Sequence, residues 1–336
     1  MTQSCVEREI RGDFGWIMKI GIVGYGNLGK ALEKIAVETN MEIVGIFTRR
    51  EPCKVISPYK SKVYSFDSVC DFAGAIDVLL LCVGSKSDLV GVAKQVANKF
   101  NTVDSFDTHA KIPEYTDFMR RTVTDKLSYI SIGWDPGLFS LMRALFSAIL
   151  PSGEPSTFWG KGVSQGHGEA IRRIKGVKNA VQYTVPKQSA IDAVMSGQGK
   201  NLSERDKHLR RCFVVLEDGA NGDEIEKTIK NMPYYFDGYD TSVHFVSQAE
   251  FEKEHTGMAH GGFVLEKGEI CGYDCGLQFS LQAKSNPHFT ASVLMAYAKS
   301  CVKEYQNGER GVKTVLDVPI ASLLDGKAID NVRRFV

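Results

Sequence analysis

The chain has 336 residues, 43% hydrophobic and 24% charged, so it is long enough to bury a sizeable core and to form two domains. Its 41 Lys and Arg residues nearly balance its 40 Asp and Glu residues, which gives a formal net charge of +1. This balance disfavours binding of nucleic acid or anionic membrane through the overall charge, and it predicts small molecules and copies of the chain itself as partners.

The N-terminal segment, residues 1–17, lacks the apolar core of a secretory signal. No later apolar run approaches the roughly 18 residues that a membrane-spanning helix needs. The eight cysteines are scattered and form no Cys-x-x-Cys pair, as is typical of reduced thiols. We therefore expect a cytoplasmic protein in which residues 1–17 are an extension that activity does not require.

From residue 18 to residue 133, short apolar runs alternate with longer amphipathic ones, a pattern typical of a parallel sheet with crossover helices. Strands are predicted at 18–24, 42–47, 62–66, 77–83, 101–105 and 128–132. Helices are predicted for the segments NLGKALEKIAVET, KSDLVGVAKQVANKF and IPEYTDFMRRTVTDK. The pattern predicts an α/β fold with a doubly wound, Rossmann-like parallel sheet over 18–133, completed by 312–336.

The character of the sequence changes after SIGWDPG and the apolar helix LFSLMRALFSAIL. Between 134 and 311, glycine-rich turns separate strand-like runs such as RRCFVVLED, TSVHFVS and CGLQFSLQAK from the helical patterns GDEIEKTIKNM and FTASVLMAYAKSCVKEYQ. This region is predicted to be a second, α+β domain with a mixed or antiparallel sheet, which binds substrate and forms the oligomer.

A Gly-x-Gly-x-x-Gly turn follows the first predicted strand and opens the first predicted helix. In this context Gly24 allows a tight turn, Gly26 allows close approach of a pyrophosphate, and Gly29 allows close packing of the helix. The predicted cofactor contacts in this turn are Gly24, Tyr25, Gly26, Asn27, Leu28 and Gly29.

The second predicted strand ends in GIFTRR, where a dinucleotide-binding protein that uses NAD carries an acid. An acid accepts hydrogen bonds from the ribose hydroxyls of NAD but repels the 2′-phosphate of NADP, whereas arginine attracts this phosphate. Thr48, Arg49 and Arg50 therefore favour NADP. The alternative is that the two arginines are simply solvated residues after a strand.

His255, His260, Cys271 and Cys275 are the nearest approach to a metal signature. They lack the short Cys-x-x-Cys hairpin of structural zinc modules. We therefore predict no metal site and interpret the four as ordinary polar and core residues, with zinc binding as the alternative.

Long and uncommon motifs together resemble the meso-diaminopimelate dehydrogenase family: VGYGNLGK, GIFTRR, LLCVGS, SIGWDPGLFS, TFWGKGVSQGHGEAIRRIKGVKNAVQYT, EHTGMAHGG and NPHFTAS. The resemblance extends from Met18 almost to the C-terminus. It implies NADP-dependent oxidative deamination of the D-centre of meso-2,6-diaminopimelate, or in reverse the reductive amination that supplies lysine synthesis. It also implies a homodimer or a higher homo-oligomer.

The resemblance also implies roles for individual residues. Beyond the glycine turn and Thr48, Arg49 and Arg50, cofactor contacts are implied at Gly84 and Ser85. Contacts to the reacting D-centre are implied at Asp107, Trp134 and Asp135. The distal L-centre is implied to be bound by Thr184, Arg210 and His260, with Asn286 nearby. Pocket walls are implied at Trp159 and Gln165.

Asp107 and Asp135 are the predicted catalytic residues, because each follows the end of a predicted strand, where doubly wound sheets bind ligands. Hydride leaves the D-carbon only after the ammonium group has lost a proton, so either carboxylate can orient the amine and take its proton directly or through water. A helix cap or turn former is the alternative for both aspartates. Without the resemblance, the run RDKHLRR favours a solvated Arg210, and His260 suits an exposed loop.

Two other functions remain open from the sequence. One is an NADP-dependent dehydrogenase with a broader range of D-amino acids. The other is a non-catalytic NADP-sensing regulator, which needs the glycine turn and the arginines but not the paired aspartates. Sugar dehydrogenases with the same first domain carry a Glu-Lys-Pro tripeptide, and dihydrodipicolinate reductase carries a His-His pair. Neither occurs in this chain.

Overall fold

The computed structural model describes residues 17–85, 88–233 and 235–336. The expectation for the N-terminal extension therefore falls, for residues 1–16, outside the described residues. The chain divides into two compact units. One holds the described residues up to Leu141 together with Pro287–Val336, and the other is Met142–Asn286.

The secondary structure alternates strands and helices in the first third of the chain. In chain order the strands are β1 Lys19–Val23, β2 Glu42–Thr48, β3 Val63–Ser65, β4 Val78–Leu81, β5 Thr102–Asp104, β6 Leu127–Tyr129, β7 Ser156–Trp159, β8 Gly162–Val163, β9 Val177–Pro186, β10 His208–Leu216, β11 Asp240–Phe245, β12 His260–Ile270, β13 Tyr273–Ala283 and β14 Gly311–Lys313. The α-helices are α1 Asn27–Glu38, α2 Leu89–Val96, α3 Ile112–Thr122, α4 Leu138–Ile149, α5 Gln165–Arg172, α6 Gln188–Met195, α7 Glu204–Lys207, α8 Gly222–Lys230, α9 Gln248–Glu254, α10 Asn286–Gln306, α11 Ile320–Leu323 and α12 Ala328–Phe335. Short 3₁₀ helices span Pro52–Lys54, Phe66–Phe72 and His109–Lys111.

The first unit contains a seven-stranded sheet in the order β14-β6-β5-β4-β1-β2-β3, and every neighbouring pair in it is parallel. All four residues of β4 are buried, as expected of a central strand covered on both faces. Strands β2 and β3 extend the sheet on one side of β1, and β4, β5 and β6 extend it on the other side. The sheet is therefore doubly wound, and the predicted fold class is confirmed.

Helix α10 packs in the first unit, although the sequence analysis placed its segment in the second domain. Its buried residues, including Ala291, Leu294 and Ala298, belong to the same apolar cluster as Ile20 and Ile22 of β1. The chain therefore returns to the first unit at Pro287, earlier than the expected residue 312. The helical periodicity was visible in the sequence, but the surface against which the helix packs was not.

The second unit contains two separate sheets. One has the order β11-β10-β9-β8 and is mixed, because β10 and β11 are parallel while β9 pairs antiparallel with β10 and β8. The other has the order β13-β12-β7 and is antiparallel. These sheets confirm the α+β class predicted for this part of the chain.

None of the helices in the described part of the chain is both long enough and apolar enough to cross a membrane.

Candidate functional site

The glycine turn lies between β1 and α1, as predicted. Gly24 has φ +91°, and a Cβ there would lie 2.8 Å from the Cys82 carbonyl oxygen, while a Cβ on Gly29 would collide with the Gly24 carbonyl oxygen. A Cβ on Gly26, in contrast, would meet no heavy atom within 4 Å. Packing thus accounts for Gly24 and Gly29. The space over Gly26, at the N-terminus of α1, suits a closely bound phosphate.

Each of the two arginines that follow β2 makes a specific contact, one within this turn and one at the start of α2. The Arg50 guanidinium donates a hydrogen bond to the Tyr25 carbonyl oxygen at 2.7 Å, and the Arg50 backbone N–H donates to the Thr48 hydroxyl at 3.1 Å. The Arg49 guanidinium lies 2.7 Å from the Asp88 carboxylate at the start of α2. Although exposed, both guanidinium groups are therefore directed by specific contacts.

These residues line a single cavity of about 290 Å³. Its lining includes Gly24, Gly26, Thr48, Arg49, Arg50 and Gly84. Two cations and a helix N-terminus suit a polyanionic nucleotide, so the residues present fit NADP. Asp88 also lines the cavity, and the sequence analysis did not single it out. The available signal in the sequence was an acidic residue shortly after the Gly84–Ser85 dipeptide, which was itself a predicted cofactor contact.

Asp107 and Asp135 follow the adjacent strands β5 and β6 at the carboxyl edge of the parallel sheet. The Asp107 backbone N–H donates to the Ser85 hydroxyl at 3.2 Å, which links the segments after β4 and β5. The N-cap positions of the next two helical segments are Thr108 and Lys111, so Asp107 is not a helix cap.

Trp134 and Asp135 lie in a turn that follows the end of β6 by five and six residues. A bridge between Trp134 and Gly137 closes the turn, and the peptide bond from Asp135 to Pro136 is cis. The Trp134 ring packs edge-on against Phe139, with 5.1 Å between ring centroids. The turn-former interpretation therefore holds for Asp135, and it is compatible with a role in binding because the turn lies at the sheet edge.

Arg210 and Thr184 are direct cross-strand partners on β10 and β9. The Arg210 guanidinium donates to the Thr184 hydroxyl and lies over the Tyr239 ring, 3.9 Å from its centroid. Arg210 is only 6% exposed, because alternation along β10 directs Arg211 outward and Arg210 inward. The solvated interpretation of Arg210, which the charge run favoured, is wrong.

The Arg210 guanidinium is a buried cation with no direct ion pair among the described residues, and Glu204 acts on it only from a distance. Among the described residues it forms no ion pair within 4.0 Å, and its Nε atom has no hydrogen-bond partner. Burial lowers the pKa of Arg210, while Tyr239 opposes this shift. A buried charge that lacks a partner is costly, so the arrangement suits an anionic ligand group such as a carboxylate.

His167, which was not among the predicted site residues, interacts electrostatically with the Arg210 guanidinium. Burial and then the Arg210 charge lower the pKa of His167 to about 4, so the imidazole is neutral near pH 7. Its Nδ1 atom lies 2.6 Å from the Ser164 hydroxyl. The signal in the sequence was a histidine inside the motif SQGHG.

Gly162 lies beside both His260 and Thr184 and so brings these two residues close together. Gly162 pairs with Thr184 across β8 and β9, and a Cβ on Gly162 would collide with the His260 ring. The expectation of an exposed loop is wrong for His260, which begins β12 opposite Ala283 because the β12–β13 hairpin extends to this point. Thr184, Arg210 and His260 are thus brought together in the second unit.

The other predicted substrate residues occupy separate element ends. Trp159 ends β7, its ring stacks on His208 with 5.1 Å between centroids, and its backbone N–H donates to His208 Nε2 at 2.9 Å. Gln165 is the first residue of α5. Asn286 begins α10, and its backbone N–H donates to the Met258 carbonyl oxygen at 2.9 Å, two residues before His260.

The register of the β12–β13 hairpin separates two of the four residues named in the zinc alternative. His260 faces Ala283 at one end, whereas Cys275 faces Gly268 near the other end. Within the described ranges, the group that brings three potential ligand atoms within 4.8 Å of one another is Glu250, Glu254 and His255.

Comparison with known proteins decides the family. Residues 133–285 match the model of the diaminopimelic acid dehydrogenase C-terminal domain. A meso-diaminopimelate D-dehydrogenase from Ureibacillus thermosphaericus is 50% identical over 322 residues, which cover 94% of this chain and 98% of the relative. The chain belongs to the meso-diaminopimelate D-dehydrogenase family. The resemblance in the sequence motifs is therefore confirmed.

Solved structures agree with this family assignment. The C. glutamicum DAP dehydrogenase in complex with DAP matches with a TM-score of 0.87 and 39% identity, over 95% of this chain and 99% of that one. An engineered D-amino acid dehydrogenase bound to NADP⁺ matches with a TM-score of 0.85 and 37% identity, over 96% of this chain and 100% of that one.

Proposed function

We propose that the protein is an NADP-dependent dehydrogenase that oxidatively deaminates the D-centre of meso-2,6-diaminopimelate. The observation that carries this proposal is the 50% identity, over 94% of the chain, to an enzyme of that name. The geometry supports its parts: an arginine-lined cavity at a glycine turn, two aspartates at the sheet edge, and a buried guanidinium that forms no direct ion pair with any described residue.

NADP supplies the hydride acceptor when it is bound. Thr48, Arg49 and Arg50 would hold the 2′-phosphate, and the N-terminus of α1 at Gly26 would hold the pyrophosphate. Gly84 and Ser85 complete the proposed cofactor residues. This assignment uses the contacts that already direct both guanidinium groups to the cavity.

Asp107 and Asp135 are the proposed groups that act on the amine. One carboxylate orients the ammonium group and the other accepts its proton, directly or through water, so that the nitrogen lone pair becomes available. The C–H bond then breaks with loss of a hydride, the carbon–nitrogen bond becomes an imine, and water hydrolyses the imine to a ketone and ammonia. Trp134 would cover the reacting centre.

The proposed distal contacts select the L-configured end of the substrate. Arg210 would pair with the second carboxylate through charge-assisted hydrogen bonds, and Thr184 and His260 would fix the orientation of this end. Trp159, Gln165 and Asn286 complete the proposed set. Because Arg210 has no ion pair among the described residues, a substrate carboxylate would supply the direct anionic partner of this buried charge.

We also propose that the protein is a homodimer. Strand β13 is the edge of its sheet, and none of its residues is fully buried although Leu277, Phe279 and Leu281 alternate along it. A second copy would cover this partly exposed apolar face. Sedimentation velocity of the purified protein tests the assembly, and a monomer at micromolar concentration would exclude it.

The function is tested by NADPH formation from meso-diaminopimelate, measured beside the L,L and D,D isomers and simple D-amino acids. The proposal expects turnover of the meso isomer with NADP and little turnover of the L,L isomer. Comparable rates with short D-amino acids would favour the dehydrogenase of broader range. Tight NADP binding without turnover of any of these amines would favour the NADP-sensing regulator.

A further inference from the structure

Asp104 ends β5 and is completely buried, although the mechanism above makes no use of it. Its Oδ1 atom accepts hydrogen bonds from the backbone N–H groups of Phe106 at 2.9 Å and Ser131 at 3.0 Å. Its Oδ2 atom accepts from the Tyr115 hydroxyl at 2.7 Å. A single carboxylate therefore joins the segment after β5 to the segment after β6.

The contact with Ser131 fixes an unfavourable backbone conformation. Ser131 has φ +57°, in the left-handed region, which is unfavourable for a residue with a Cβ. The side chain of Asp104 accepts from Ser131 N–H, and its carbonyl oxygen accepts from Ile132 N–H at 2.8 Å. Two consecutive donors bound to one residue hold the chain in this turn as it leaves the sheet.

The contact with Phe106 fixes the other segment. An aspartate that accepts from the N–H two residues later forms a local turn, which directs the chain away from the strand. Asp107 follows directly after Phe106, and Trp134 and Asp135 follow Ser131 by three and four residues. The two anchored segments are therefore those that carry the proposed amine-binding aspartates.

We propose that Asp104 is a positioning residue, whose buried carboxylate sets the relative placement of Asp107 and Asp135; this inference rests on the function proposed above. Asp104 does not act on the substrate. Misplacement of reacting groups by about 1 Å costs on the order of 100-fold in rate, so a joint between the two segments affects turnover strongly.

The ionisation of Asp104 agrees with this role. Burial raises its pKa to about 6, and the hydrogen bonds from Ser131, Phe106 and Tyr115 oppose that rise. The three donors thus favour the ionised carboxylate, in which both oxygens accept. Hydrogen bonds to a charged group are stronger than those between neutral groups.

The experiment compares Asp104→Ala, Asp104→Asn and Thr102→Val. Thr102 lies on the same strand and is equally buried, and its hydroxyl donates to the Ser128 hydroxyl at 2.8 Å. It therefore joins β5 to β6 as Asp104 does, but away from the two segments. The measurements are kcat with meso-diaminopimelate, the dissociation constant of NADPH by fluorescence, and amide hydrogen exchange of residues 105–107 and 131–135.

Asp104→Ala is expected to lower kcat about 100-fold, to leave the NADPH dissociation constant within about threefold of the parent, and to speed exchange in both segments. Asp104→Asn, whose amide oxygen still accepts from both N–H groups, is expected to recover most of kcat. Thr102→Val is expected to change neither kcat nor exchange in the two segments. Should Asp104→Ala not fold, Tyr115→Phe removes one donor and is expected to give a smaller loss of kcat at unchanged NADPH affinity.

Near-parental kcat and exchange in folded Asp104→Ala would overturn the proposal. So would an equal loss of kcat in Thr102→Val, or a parallel loss of kcat and NADPH affinity, because each indicates general destabilisation. A parent protein that turns over no meso-diaminopimelate would instead refute the proposed function. The exchange measurement then still reports whether Asp104 holds the two segments.

Discussion

Arg49 and Arg210 are both proposed to bind anions, but they lie in opposite environments. The Arg49 side chain is 53% exposed and paired with Asp88, whereas Arg210 is 6% exposed and forms no ion pair among the described residues. Solvent screens an exposed pair, so ligand binding at Arg49 exchanges one weak partner for another. At Arg210 a ligand carboxylate would satisfy a charge already removed from water, so the buried site should show the larger dependence on its arginine.

The largest effect is expected for Arg210→Met. Removing the partner of a desolvated carboxylate should cost about 2–5 kcal/mol of transition-state stabilisation, the range for breaking a buried charge pair. This loss is measured as the fall in kcat/KM for meso-diaminopimelate. The melting temperature of the ligand-free protein should stay the same or rise, because an apolar side chain replaces a buried charge that has no direct ion pair among the described residues. Steady-state kinetics and thermal unfolding measure the two quantities.

Arg211→Met is the matched control for this prediction, since Arg211 is the next residue of β10 and is exposed. It should leave kcat/KM nearly unchanged. A folded Arg210→Met protein with near-parental kcat/KM would remove Arg210 from the substrate site. A large fall in its melting temperature would show that the buried guanidinium stabilises the fold through its contacts with Thr184 and Tyr239.

The exposed arginines are expected to give the second largest effect. Arg49→Ala/Arg50→Ala should lose most of the preference for NADP over NAD, because each charge-assisted bond to the 2′-phosphate contributes about 1.5–3 kcal/mol. The exposure of Arg49 places its contribution near the lower value. The ratio of kcat/KM for the two cofactors measures this effect. Lys54→Ala, at another exposed cation after β2, is the control and should keep the parental ratio. Unaltered discrimination in the double variant would make both arginines bystanders.

The sequence predicted one of these two environments and missed the other. Arg49 and Arg50 follow β2, whose position a local pattern reveals. Because β2 pairs in parallel with β1, the end of β2 lies beside the glycine turn that follows β1. Arg210 lies in a charged run that suggests solvent exposure, and only the pairing of β10 with β9 shows that it faces inward. Its proposed role came from the family resemblance.

The strands of the parallel sheet were predictable because continuous apolar runs are local signals. The packing of α10 and the joint at Asp104 depend on contacts distant in sequence.

A buried carboxyl group in the second unit extends the comparison. Glu266 on β12 is fully buried, and neither of its carboxylate oxygens has a hydrogen-bond partner among the described residues. Burial raises the pKa of Glu266 above its unfolded value of about 4.3. The folded protein thus binds more protons than the unfolded chain, and stability falls as pH rises from this value through the folded pKa.

Glu266→Gln should therefore be more stable than the parent at pH 7, by on the order of 1 kcal/mol, and equally stable below pH 4. Chemical denaturation from pH 4 to pH 8 follows the difference. Glu269→Gln alters an exposed carboxylate on the same strand and should show no such trend. A parent that is more stable than Glu266→Gln at pH 7 would indicate that the carboxylate has an ionic partner in the assembled protein.

The smallest effect is expected where the exposed pair itself is broken. Asp88→Asn removes the anion that lies 2.7 Å from the Arg49 guanidinium and lines the same cavity. Asp88 occupies the N-cap position of α2 without a side-chain capping bond, so asparagine should cost the helix little. Exposed pairs contribute only about 0–1 kcal/mol, so the NADP dissociation constant should fall by about two- to fivefold at low salt. The dissociation constant of NAD, which has no 2′-phosphate, should not change. Because salt screens exposed charges, the gain in NADP affinity should shrink as ionic strength rises toward about 1 M.

Asp117→Asn, which removes an equal charge at an exposed position on α3, controls for net charge. Titration of cofactor at several salt concentrations decides the matter: weaker NADP binding in Asp88→Asn would mean that Asp88 organises Arg49 for the phosphate instead of competing with it.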